Sequence, residues 1–120
     1  MIDLRHLLRE MQPVLHEEPY GFDLLDVDAP LPANVFALIH EEEGMTLVAP
    51  FPDGEWARIS LAVHSSLSAV GLNAAIAQAL AERQLPANIV AGFHHDHIFV
   101  PWERRNEAIA ALNELSEQNG

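Results

Sequence analysis

The chain has neither cysteine nor lysine. Without cysteine there are no disulfides, no thiolate nucleophile and no cysteine-type zinc site. Without lysine there is no Schiff-base amine and no phosphate-loop lysine. Six arginines face 18 acidic residues, for a formal net charge of −12. Such a surface repels nucleic-acid phosphates and anionic lipid, so neither nucleic acid nor a membrane is expected as a partner. No apolar run approaches the roughly 18–20 residues that span a bilayer. Met1 to His6 mixes charged and apolar residues instead of forming a signal peptide's apolar core, so a cytoplasmic location is expected. At 120 residues the chain is one domain's worth, or two small halves sharing a core.

What is present is a clear order of elements. Asp3 can cap a short helix from Leu4 to Met11, which Pro13 stops. Phe22 to Val27, Val35 to His40 and Met45 to Ala49 read as strands, the last two joined by a turn at Glu41-Glu42-Glu43-Gly44. The three glutamates read as a solvated hairpin tip. Pro50-Phe51-Pro52-Asp53-Gly54 is the sharpest joint. It divides the chain into residues 1–52, one helix plus three strands, and residues 53–120.

In the second half Ile59, Leu61 and Val63 alternate with polar or small residues, as a strand with one apolar face requires. Ser66 or Ser68 is expected to cap a helix reaching about Arg83, with Leu72, Ile76 and Leu80 as its buried stripe. Ala87 to Phe93 and His97 to Val100 read as a hairpin. A turn centred on His95 and Asp96 sets Phe93 opposite Ile98 and Gly92 opposite Phe99. Phe93 then shares the buried face, while Val90 and Phe99 lie on the other, which the N-terminal half or a second chain must cover. A last helix runs from about Glu103 to Glu117. The result is an α+β, ferredoxin-like βαββα unit lacking its final strand.

At HSSLSAVGLNAAIAQALAERQLPANIVAGFHHDHIFVP, His64 to Pro101, the sequence resembles the ACT domain. More narrowly, it is similar to small bacterial ACT-domain proteins with the pattern VHSSL-x-AVGL…NVVAGF-x-HDH-x-FVP. The resemblance covers about Ala57 to Leu115, and more weakly the hairpin at Glu43 to Leu47. It implies a regulatory fold of two ACT-like halves, in which the N-terminal αβββ half completes the sheet. It also implies an amino acid or similar small effector, held where units pair as a dimer or larger homo-oligomer. It carries no catalytic residues and no cofactor. Ala69-Val70 stand where many effector-binding ACT domains have proline before the glycine.

The candidate ligand site is the loop His64, Ser65, Ser66, Val70, Gly71, Leu72, together with Asn88. A strand feeding a helix leaves free first-turn N–H groups, which with the helix dipole favour a carboxylate. Gly71 allows close approach, and Asn88 is expected near the same sheet end. A plain helix cap is the competing structural reading. His94 and His97 are weak metal candidates across their turn. His64 is expected at the opposite end of a parallel neighbour, on the order of 10 Å or more away. Ser66 with His64 lacks a third orienting group, so nothing compels an enzyme. The alternatives are an interaction module pairing through the Val90 and Phe99 face, or a metal-dependent enzyme at the histidine turn.

Overall fold

The computed structural model describes residues 3–64 and 69–120. Helix α1, Leu4–Arg9, begins where Asp3 Oδ1 accepts the His6 N–H at 2.8 Å. Gln12, at φ 45°, reverses the chain into strand β1, Pro13–Leu25. This strand was expected only from Phe22. Its first half, with two prolines and His16-Glu17-Glu18, lacks the alternation that marks a strand. Both prolines sit where a sheet tolerates them: Pro13 opens the strand, and Pro19 follows a register shift after Leu15.

Strands β2 (Ala37–Glu41) and β3 (Gly44–Pro50) form the glutamate-tipped hairpin, and β4 spans Trp56–Leu61. Helix α2 (Leu72–Ala81), β5 (Asn88–Ala91), β6 (Asp96–Pro101) and α3 (Arg105–Glu117) follow, with one 3-10 turn at Trp102–Arg104. The strands form one sheet in the order β2-β3-β1-β4-β6-β5, every neighbour antiparallel. β1 is shared. Its start pairs with β4 and its end with β3, so the N-terminal half supplies the strand that the βαββα unit lacks.

The three helices cover one face. Leu7, Met11, Ile59, Leu61, Ile76, Leu80, Ile98 and Leu112 meet there and are nearly or wholly buried. Each such side chain contributes about 1.5–3 kcal/mol. The second face is covered by the chain itself. Phe99 is 0% exposed, with the rings of Tyr20, Phe22 and Phe36 at 5.6, 5.2 and 5.6 Å. The Phe36 N–H, bonded to the Val48 carbonyl at 2.8 Å, ties that covering segment to β3.

Two expectations are corrected. Helix α2 starts at Leu72 with Gly71 as its N-cap and no side-chain cap among the described residues; Ser66 and Ser68, the expected caps, lie outside them. The β5–β6 turn is centred on Phe93-His94, two residues earlier than expected. Gly92 N–H donates to the His95 carbonyl at 2.9 Å, giving Ile89 opposite Ile98 and Asn88 opposite Phe99. A Cβ at Gly92 would lie 2.8 Å from that carbonyl oxygen, so glycine permits this turn. Phe93 is consequently at the tip and 82% exposed. Asp96, expected in the turn, is buried in β6. Among the described residues no helix is long and apolar enough to cross a membrane.

Candidate functional site

The loop between β4 and α2 holds most of the expected site residues. Ser65 and Ser66 lie outside the described residues. His64 is exposed and Val70 is 88% exposed. Leu72 is buried in the helix-side core, so its side chain serves packing. Gly71 has φ 95°, a region that L side chains rarely adopt. A Cβ there would meet the Leu4 side chain of α1 at 3.1 Å. The glycine thus serves a tight helix junction, whatever else it serves. Asn88 is not beside this loop. It pairs with Phe99, which pairs with Arg58, whereas the loop leaves the sheet beyond Leu61.

The strand direction changes the histidine picture. β4 and β6 are antiparallel, with Ser60 opposite His97, so the end of β4 and the start of β6 share one end of the sheet. His64 therefore meets the β5–β6 turn and is not held apart from it. Its ring lies 4.5 Å from that of His95 and 5.7 Å from that of His94. His95 Nδ1 is buried and has no hydrogen-bond partner among the described residues. The metal candidates separate: His94 packs on Phe93 and His64, while His97 faces Phe36 and Ser60 on the second face. Among the described residues no group of three ligating side chains has metal-binding geometry.

The sequence reading missed a polar network on the second face. His16 Nε2 lies 2.8 Å from Ser60 Oγ, and Ser60 Oγ lies 2.8 Å from His97 Nδ1. Arg58 Nε donates to the same Nδ1 at 3.4 Å, and its Nη1 donates to the Tyr20 hydroxyl at 2.8 Å. Phe36 covers the guanidinium, 4.2 Å from its ring centre. Arginine only donates, so His97 Nδ1 must accept. The Ser60 proton then points to His97, and Ser60 accepts from His16 Nε2–H. Burial, and then the Arg58 charge, lower the pKa of both histidines, that of His97 to about 4. The available signal was Arg58 and Ser60 alternating with Ile59 and Leu61, but their partners lie 37 to 44 residues away.

Two family models, each described as an ACT domain, match the chain over residues 1–65 and 53–114. No curated protein matches it. A crystal structure from Vibrio cholerae, titled a protein of unknown function and possible transport protein, is 37% identical. That match covers 94% of this chain and 95% of the other, with a TM-score of 0.81. The ligand-free regulatory subunit of aspartate kinase from Thermus thermophilus is 14% identical, over 88% of this chain and 97% of that one, with a TM-score of 0.67. A protein from Agobacterium tumefaciens is 15% identical over 82% and 84%, with the same TM-score, 0.67. The two lower identities speak for the fold alone.

Proposed function

Because the chain belongs to the ACT-domain family, with matches in tandem, we propose that it is a regulatory protein binding an amino-acid-like effector. ACT domains are typically small-molecule-binding regulatory modules. In this reading the effector sits at the sheet end where the β4–α2 loop meets the β5–β6 turn. It is contacted by His64, Val70 and the backbone at Gly71, with Ser65 and Ser66 in the same loop. The observation that carries the reading is the ring contact of His64 with His94 and His95. It joins the residues leading into α2 to polar side chains from a second element. An effector carboxylate would take the first-turn N–H groups of α2, and His95 Nδ1 is a further buried polar atom with no partner among the described residues. Asn88 has no part in this site.

The two ACT-like halves, residues 1–52 and 53–120, act here as one cytoplasmic protein with no catalysis of its own, and two copies pair. The competing reading, an interaction module, is favoured by exposed Leu24 and Ile39, which flank Thr46 in one row across β1, β3 and β2. Thermal-shift screening against the twenty amino acids tests the effector. A ligand at 100 times its Kd raises stability by about 2.7 kcal/mol, and His64→Ala with His95→Ala should abolish the shift. No shift with any amino acid, or an undiminished shift in the variant, overturns the reading.

A further inference from the structure

Both tryptophans of the chain line one cleft of about 420 Å³ at the far end of β4 from the histidine turn. Its frame is firm. Trp56 pairs with Pro101 across β4 and β6, and the Trp102 N–H donates to the Glu55 carbonyl at 2.8 Å. Gly54 also lines it, packed so closely on β1 that a Cβ would lie 2.4 Å from the Tyr20 carbonyl oxygen. A second hollow of about 290 Å³ shares Gly54, Glu55 and Trp56 and brings in Asp23 and Asp53. The Pro50-to-Gly54 joint, which the effector site leaves unused, thus shapes two adjoining hollows.

The cleft's charge is unbalanced. Glu55 and Glu103 line it, and their carboxylates have no hydrogen bond or ion pair among the described residues. Among the described residues Arg104 is the cation in its lining, and it is already engaged. Its guanidinium donates to both Glu107 oxygens and to the Arg83 and Gln84 carbonyls. One cation already lies on the aromatic lining: the Arg105 guanidinium is 3.9 Å over the Trp102 ring. A cleft lined by tryptophan and unpaired carboxylates suits a further cation carried on an apolar body. A hydrated metal ion would gain little from such walls, and a carboxylate would be repelled.

We propose that the Trp56–Trp102 cleft binds a small organic cation, an alkyl amine or guanidinium compound, with Glu55 and Glu103 as its counter-charges. The site is separate from the effector site and does not depend on it. Because both tryptophans line the cleft, intrinsic tryptophan fluorescence reports on it directly. Titration of the full chain with butane-1,4-diamine and with butylguanidinium should give a saturable change in emission. Butane-1,4-diol, equally long but uncharged, should give none. The double variant Glu55→Gln, Glu103→Gln should bind the cations roughly tenfold more weakly. Both substitutions are at exposed positions, and circular dichroism checks that the variant folds. A saturable change lost in that variant supports the proposal. No saturable change, an equal response to the diol, or undiminished binding by the folded variant overturns it. An amino-acid thermal shift depending on His64 and His95 is a different readout, so each site can fail without the other.

Discussion

The Ser60 hydroxyl lies 2.8 Å from Nδ1 of His97, its cross-strand partner on β6. The same nitrogen receives the Arg58 Nε–H, so a proton on Nδ1 would face the guanidinium and remove that bond, while Ser60 could turn to accept from it. The contact with Arg58 therefore favours neutral His97.

This gives a pH dependence with a definite sign. The pKa of His97 is about 4 in the folded chain, lowered by burial and then by Arg58, His16 and His95. An unfolded histidine titrates near 6.5. Between those values the unfolded chain binds the extra proton, so stability is fully present above about pH 6.5 and is lost as pH falls towards 4. Allowing for the ring's partial contact with solvent, the loss is on the order of 2 kcal/mol. Urea unfolding midpoints from pH 7.5 to 4.5 should fall with pH, and His97→Asn should flatten that slope. Identical slopes would show that His97 does not carry the effect.

Ser60→Ala should destabilise the chain by about 1–3 kcal/mol, because it leaves His16 Nε2–H and His97 Nδ1 without their shared partner. The His97 pKa should stay well below the ordinary histidine value in this variant, since burial and the Arg58 charge, its largest causes, are retained. Urea unfolding gives the first quantity and NMR titration of the histidine ring protons the second.

Phe99 and Leu24 sit on the same sheet face and should respond oppositely to substitution. Phe99 is enclosed by three rings of its own chain. Phe99→Glu places a charge in that enclosure and should prevent folding, while Phe99→Ala should cost about 3–5 kcal/mol. Leu24 is 74% exposed, so Leu24→Glu should leave the melting temperature within about 2 °C. If copies pair through the Leu24–Ile39 row, Leu24→Glu should nevertheless halve the mass seen by light scattering.

Much of the architecture is legible in the sequence. The Asp3 cap, the glutamate hairpin, the Pro-rich joint and the apolar stripe Leu72, Ile76, Leu80 are local patterns, set by residues within one or two turns of each other. The HSSL-to-FVP string points to the family, and the edge strand that the βαββα unit lacks comes from the N-terminal half, where β1 pairs with β4. What local pattern obscured was β1 from Pro13 to Gly21, where proline and charge hide a strand that a register shift and two neighbours make possible. The β5–β6 register was likewise hidden, because it rests on the absence of a Cβ at Gly92 and not on turn-forming side chains.

Composition alone determined the exclusions. With no cysteine and no lysine, this chain supplies neither a thiolate nor a lysine amine wherever its residues lie, and 18 acidic residues against six arginines set a negative net charge. Only the tertiary structure decided what meets what. An antiparallel β4–β6 pair brings His64 to the histidine turn, moves Asn88 away from it, and assembles His16, Ser60, His97 and Arg58 from three strands. Periodicity reports which face a side chain occupies. It does not report strand direction or the identity of the neighbour, and those set the distances on which hydrogen bonds and binding sites depend.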